Sequence, residues 1–289
     1  MKPAPFDYAL ASSVQEATEA LARHRDEAKV LAGGQSLVPM LNMRLSRPSV
    51  VVDINGAAEL GYLRESDGAL AVGALVRQRA LERWARGRSP LIAEALRMVG
   101  HTAIRTRGTV AGSIAHADPA SELPALLLCL DGSVVARRQD GERVIPARAL
   151  YLAPLTTSLE PDELVTEVRL ALPRRGAGWG FAEVARRHGD FALVGAVALL
   201  WLDGDGLVAG ARLALFGVGA TAVRAETAEA ALVGRRPERP RLAEAARAAA
   251  AGLTPDGDLH ATAEYRRRVA AVLAERTLVT ALERCASAA

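Results

Sequence analysis

Apolar residues at 14, 17, 20 and 21 recur at the spacing of one helix face, which predicts a helix over residues 14–23. Residues 29–31 read as a short strand that the pair Gly33 and Gly34 brings to an end. Apolar positions 37, 40, 41 and 45 then fit a short helix, with Pro39 tolerable in its first turn, and the β-branched run 50–54 reads as a strand. The result is a strand, turn, helix and strand unit. Further along, residues 69–73 predict a strand, 91–98 a helix, 132–136 a strand, and 163–172 a strand that stops at Pro173. Residues 123–130 are apolar throughout. The stretch 101–122 is small and polar without a clean period, and it predicts a long shaped loop or several short turns.

Residues 173–180 (PRRGAGWG) read as a linker, because the rhythm changes after them. Two long apolar runs, 191–202 and 207–218, flank Asp203-Gly204-Asp205-Gly206 and predict a hairpin. Helices are expected over 228–232, 241–251 and 262–285, the last with Val269, Val272, Leu273, Val279 and Leu282 on one stripe and Thr262 as its N-cap. Strands followed by helices, without strict alternation, make the class α+β.

With 289 residues, half of them hydrophobic, the chain can bury cores for two or three domains, and disorder is excluded. The net charge is only +3, the arginines are scattered and aromatics make up 4%, a balance that gives no sign of a nucleic-acid partner. Cys129 and Cys285 have neither CxxC nor Cys/His ligand spacing, so the sequence encodes no iron–sulfur or zinc site. The longest apolar run falls short of the roughly 18 residues a membrane helix needs, and the start has no apolar signal core. A cytoplasmic protein that does not span a membrane is expected.

Gly33-Gly34-Gln35-Ser36 lies between a strand and a short helix, where free N–H groups can hold an anion and glycine lets a phosphate approach the main chain. Asp53 ends the next strand, as in a dinucleotide-binding unit, yet GxGxxG is missing and the Rossmann reading fails. A second loop, Arg107-Gly108-Thr109-Val110-Ala111-Gly112-Ser113, offers hydroxyls and main-chain donors. Either loop alone is a tight turn; together they can grip both ends of a pyrophosphate.

Ala32-Gly33-Gly34-Gln35-Ser36-Leu37, with residues 104–119 (IRTRGTVAGSIAHADP), closely resembles the FAD-binding medium subunit of molybdenum hydroxylases of the carbon monoxide dehydrogenase and xanthine dehydrogenase type. The likeness extends through residues 186–192 (RRHGDFA) and 264–267 (EYRR), and so over essentially the whole chain. It implies an α+β fold: an FAD-binding domain of the vanillyl-alcohol-oxidase type in two subdomains, residues 1–55 and 56–173, and a C-terminal domain, 178–289, of a three-stranded antiparallel sheet with helices. Residue by residue, it implies that Val30, Leu31, Ala32, Gly33, Gly34, Gln35, Ser36 and Leu37, with Thr109, Val110, Ala111, Gly112 and Ser113, bind the pyrophosphate and adjoining parts of noncovalent FAD. It places Glu122 on the cofactor and Val165 against the flavin ring. Ala111 stands where glycine is common, which implies an ordinary backbone region there, and Ala182 stands where some relatives carry a cofactor-contacting lysine.

The role so implied is electron transfer. A molybdopterin-containing large subunit oxidises the substrate, a small subunit carries two two-iron two-sulfur clusters, and FAD in this chain passes electrons to an external acceptor, with a dimer of heterotrimers as the assembly. No catalytic residue and no metal ligand is expected in this chain. A self-sufficient FAD-dependent oxidoreductase for a small organic substrate is the alternative, and a flavin-free scaffold is a third reading. His116 and Asp118 are read as shaping their loop in preference to acid/base or covalent work, and His188 and Asp190 as a turn with charge pairs that could also face the flavin or a partner. Cys129 is read as a buried core thiol, and Tyr265, Arg266 and Arg267 as a solvated face.

Overall fold

The computed structural model describes residues 2–286. Its first sheet is small and wholly parallel, in the order β1-β3-β2, from β1 (Asp7–Leu10), β2 (Ala28–Leu31) and β3 (Val50–Asp53). The central strand is a run of valines because both of its faces are covered, and Val50, Val51 and Val52 are all buried. Helix α1 (Val14–His24) joins β1 to β2, with the Ser13 hydroxyl accepting from the Glu16 N–H at 3.1 Å, and α2 (Leu37–Asn42) joins β2 to β3.

A second, antiparallel sheet runs β4-β5-β10-β6-β7, from β4 (Leu63–Ser66), β5 (Ala69–Gly73), β6 (Ser133–Arg138), β7 (Gly141–Pro146) and β10 (Leu164–Ala171). Between β5 and β6 the chain runs through five helices: α3 (Gln78–Ala85), α4 (Pro90–Met98), α5 (Thr102–Arg107), α6 (Val110–His116) and α7 (Glu122–Cys129). After β7, α8 (Ala147–Leu150) leads into a small hairpin of β8 (Tyr151–Ala153) and β9 (Thr156–Thr157). The expected loop over 101–122 is therefore corrected to helices α5 and α6 and the first residue of α7. Helices of six and seven residues are too short to show a period; α6 is set by its N-cap, the Thr109 hydroxyl accepting from the Gly112 N–H at 3.0 Å.

The C-terminal sheet, β11-β12-β13-β14, comprises β11 (Gly178–Ala185), β12 (Ala192–Leu202), β13 (Val208–Phe216) and β14 (Val223–Arg224). Three long strands match the expected three-stranded sheet, and β14 adds a two-residue fourth. Helices α9 (Glu226–Leu232), α10 (Arg239–Ala251) and α11 (Ala263–Ala286) cover one face, and the Thr262 hydroxyl caps α11 by accepting from the Tyr265 N–H. The apolar run of β12 is buried on both sides: Val194, Ala196, Ala198 and Leu200 face these helices, while Val197 and Leu199 join the core of the preceding sheet. Helix α7 bridges the two sheets, and every residue from Glu122 to Cys129 is buried.

Two readings from sequence change here. The linker is shorter than 173–180, since β11 begins at Gly178; Gly178 and Gly180 look like linker glycines but lie where the α11 main chain crosses the strand, and a Cβ on either would overlap the carbonyl of Ala281 or Thr277. Arg266 is not solvated. It is buried and donates to the carbonyls of Leu193 and Gly217 and to Asp258, tying α11 to the ends of β12 and β13. Cys129 is a core thiol as expected, and burial pushes its pKa up to about 12.

Glu82 on α3 is buried among Arg79, Arg86 and the equally buried Arg105 of α5. Burial alone would raise its pKa, but the hydrogen bonds from Arg79, Arg105 and Arg86 outweigh it and hold the carboxyl below the usual range. Arg105 also donates to the carbonyls of Val99 and Gly100 at 2.9 Å, clamping the turn after α4. Glu82→Ala leaves that guanidinium buried without its anion and is expected to cost about 3–5 kcal/mol in chemical denaturation. Arg97→Ala, which removes an exposed pair with Glu94, is expected to change stability by less than about 0.5 kcal/mol.

Candidate functional site

The turn after β2 carries the first glycine pair. Gly34 has φ +72°, in the left-handed region that only glycine enters without strain, and the N–H groups of Gly33, Gly34, Gln35 and Ser36 have no acceptor among the described residues. Gly33 lies flat against the second loop. A Cβ there would stand 2.5 Å from the Arg107 carbonyl oxygen and 2.9 Å from the Thr109 nitrogen. The two loops, far apart in sequence, thus share one main-chain contact.

Hydrogen bonds behind the loops hold that contact. Asn55 Nδ2 donates to the Ala32 carbonyl at 2.9 Å, Arg77 Nη2 donates to Asn55 Oδ1 at 2.6 Å, and Arg77 Nη1 donates to the Arg107 carbonyl at 2.9 Å. Asp53 is taken up here: it accepts from the Asn55 N–H and from the Tyr8 hydroxyl. The backbone segment before α3 pairs with the second loop, Val110 N–H donating to the Val76 carbonyl and Gln78 N–H to the Gly108 carbonyl.

In front of the loops opens a cleft of about 520 Å³. It brings together Val30, Ala32, Gly33, Gly34, Gln35, Ser36, Leu37, Thr109, Gly112, Ser113 and Glu122, all named from the sequence. Leu31, Val110, Ala111 and Val165 do not line it. Leu31 is partly buried, and the other three belong to the hydrophobic core. Ala111 sits in α6 with ordinary helical backbone, so its Cβ carries no strain.

Other walls come from residues the sequence reading did not assign to the site. Lys29, Gln78, Ile104, His116 and Leu155 line the cleft, and the C-terminal domain contributes Gly189, Asp190 and Phe191. The motif at 186–192 was legible as a turn with charge pairs that could face the flavin or a partner, and Asp190 both pairs with Arg186 at 3.6 Å and lines the cleft. Its place on the cleft depends on tertiary packing, where His188 stacks on His101 with ring centroids 6.1 Å apart. Gln78 and Leu155 sit in no recognisable motif. Asp118 shapes its loop by accepting from the Ala120 N–H.

Glu122 is buried at the cleft wall. Burial pushes its carboxyl up to about 7; a bond from its own backbone N–H works the other way, the Asp118 charge adds to the rise and Arg105 opposes it. Glu183 on β11 behaves alike, raised to about 8 by burial first and the Glu122 charge second, and neither of its oxygens has a hydrogen-bond partner among the described residues. Two carboxyls at the junction of the two domains thus have pKa values raised well above the usual carboxylate range.

A cleft with free main-chain donors, closed by two glycine loops, fits a dinucleotide with a pyrophosphate. The comparisons agree. Residues 4–173 match the family of FAD-binding domains in molybdopterin dehydrogenases, and residues 179–281 match the CO dehydrogenase flavoprotein C-terminal domain. The chain is 44% identical over 286 residues to the alpha subunit of the 6-hydroxypseudooxynicotine dehydrogenase complex of Paenarthrobacter nicotinovorans, covering 98% of this chain and 97% of that one. It is 40% identical to the beta subunit of caffeine dehydrogenase from Pseudomonas sp. strain CBB1, over 98% and 97% of the two chains. A carbon monoxide dehydrogenase structure from Hydrogenophaga pseudoflava, in a form lacking the Mo-pyranopterin moiety of the molybdenum cofactor, superposes with a TM-score of 0.95 at 36% identity, over 99% of this chain and 100% of that one. Loops, cleft and both matched domains point one way: the chain belongs to the FAD-binding subunits of the molybdenum hydroxylases, the family of the carbon monoxide dehydrogenase medium chain.

Proposed function

We propose that this chain is the electron-transfer subunit of a heterotrimeric molybdenum hydroxylase, working in the cytoplasm between the iron–sulfur clusters of a small partner subunit and an external acceptor. A molybdopterin-containing large subunit carries the substrate chemistry, and two heterotrimers associate. The observation that carries the reading is the contact of Gly33 with the main chain of Arg107 to Thr109, which turns two loops into one phosphate-binding wall. FAD supplies two-electron chemistry that can also exchange single electrons.

The chain's own residues bind and orient it. The N–H groups of residues 33–36, free of acceptors among the described residues, would hold the pyrophosphate, which is an acceptor only, and the Thr109 hydroxyl caps the start of α6 beside them. Glu122, largely protonated below about pH 7, meets the cofactor as a neutral donor and not as a charge that would repel phosphate. Ile104, Leu155 and Phe191 place exposed apolar side chains at the cleft, suited to an aromatic ring. Val165 and the Val110-Ala111 pair support the site from the core behind it.

The purified chain, incubated with FAD and passed through gel filtration, is expected to retain flavin absorption that acid precipitation releases into the supernatant. Gly33→Ala forces the two loops apart and is expected to weaken FAD binding at least about tenfold by calorimetry. Retained affinity in a folded Gly33→Ala chain overturns the wall. Reduction of the flavin by an organic substrate in the isolated chain overturns the electron-transfer role.

The carboxyl pair adds a pH dependence. Both pKa values are raised from 4.5, so between about pH 4.5 and 8 the folded chain holds protons that the unfolded chain has released. Their contribution is fully present below pH 4.5 and is lost as pH rises through about 7 and 8. The arginine-paired Glu82, Glu163 and Glu167, lowered by their hydrogen bonds against burial, contribute stability that is lost on the acid side instead. Glu183→Gln isolates the first effect: it is expected to stabilise the flavin-free chain by about 1–3 kcal/mol at about pH 9 and by less at about pH 6, read by denaturation at both.

A further inference from the structure

The wall that the C-terminal domain gives the cleft is a turn, residues 186–191 between β11 and β12, and its polar contacts are all on its own side. The Asp190 N–H donates to the Arg187 carbonyl at 3.1 Å, while Arg186 pairs with Asp190 at 3.6 Å and meets His260 at 3.3 Å. Among the described residues no hydrogen bond or ion pair joins this turn to residues 2–173. Phe191 does not anchor it either, being 62% exposed.

Rings make the join instead. The His101 imidazole stacks on His188 with the planes 22° from parallel, and it occupies the place of a side chain on Gly189, whose Cβ would stand 2.7 Å from Cε1 and 2.8 Å from Nδ1. Gly189 has φ +86°, so the turn meets the ring in a conformation that glycine enters without strain. The ring itself is firmly based, because Arg105, buried with Glu82, donates to the carbonyls of Val99 and Gly100 just before it, and the Arg105 N–H donates to the His101 carbonyl. No hydrogen bond among the described residues is spent on the His101 nitrogens.

We infer that His101 is a positioning residue for the cleft, its ring latching the turn of residues 186–191 across the domain junction so that Gly189, Asp190 and Phe191 stand at the wall. What the wall encloses rests on the FAD-binding reading; the latch does not. The ring acts through its face, by dispersion against Gly189 and His188, so a flat ring is required there and a nitrogen is not. Ala192 is buried at the start of β12, so a turn that loses the ring swings from a fixed base and opens the wall.

The test compares the full chain, freed of flavin, with His101→Ala and His101→Phe. Trypsin reads the turn without any cofactor, since Arg186 and Arg187 are exposed within it, and cleavage there is scored by mass spectrometry against cleavage elsewhere in the chain. Titration by flavin fluorescence reads the Kd for FAD. His101→Ala is expected to raise relative cleavage at the turn and the Kd for FAD each about three- to tenfold, and His101→Phe to restore both. Where His101→Ala melts lower than the unsubstituted chain, His188→Ala, which removes the stack from the other side, is read in its place with the same direction expected. Unchanged cleavage at the turn overturns the latch. Faster cleavage with unchanged FAD affinity overturns the positioning role, and an equal loss of affinity in His101→Ala and His101→Phe overturns it by making a ring nitrogen the working group. An unsubstituted chain that fails to bind FAD, with a turn that still loosens in His101→Ala, overturns the cofactor reading and supports the latch.

Discussion

A van der Waals contact between two stretches of main chain organises this molecule. Gly33 and the peptides from Arg107 to Thr109 meet where no side chain fits, and the cleft exists because they do. Each loop comes from a different sheet: the first leaves the small parallel sheet, and the second is carried by the helices that follow β5. The contact adds to the shared hydrophobic core and to the packing of α1 on β6 and β10, which also join the two sheets, and the Asn55 and Arg77 hydrogen bonds hold it from behind. Binding a dinucleotide there requires little rearrangement of the main chain, since the donors already lie in one wall.

The C-terminal domain completes the site from the far side. Its sheet is sandwiched, with one face on α9 and α11, backed by α10, and the other on the core built around α7, so it is positioned by ordinary burial of apolar surface. That packing brings Gly189 to Phe191 to the cleft and sets Glu183 near enough to Glu122 for the charge of one to raise the pKa of the other. The raised pKa values at this junction are a consequence of burying two acids with one partly compensated and one bare.

Much of this was legible in the residues. The β-branched run at Val50 to Val52 and the unbroken apolar run from Ala192 to Leu202 declare strands, the stripe on α11 declares a helix, and the glycine loops carry the family likeness as well as their own phosphate chemistry. Other features hide for physical reasons. Helices α5 and α6 are shorter than two full turns and are set by a cap and by contacts instead of by a repeating face. Gly178 and Gly180 look like flexibility and are instead a tight crossing of helix on strand. Arg266 reads as a surface cation, yet it spends its donors on the carbonyls of Leu193 and Gly217. Gln78 is chemically anonymous until tertiary structure sets it behind Gly108.

The double burial of β12 has a consequence for how the protein is made. Residues ahead of position 173 contain both glycine loops, but the core around α7 is covered by Val197, Leu199, Ala214 and Phe216, which leave the ribosome later. Until they arrive, the first two sheets carry an open apolar face, the kind of surface that attracts chaperones or neighbouring nascent chains. The other face of the same hairpin waits longer still, for α11. Completion of the cofactor cleft thus waits for Gly189 to Phe191 and the strands that carry them, and both phosphate loops are made before the wall that closes them.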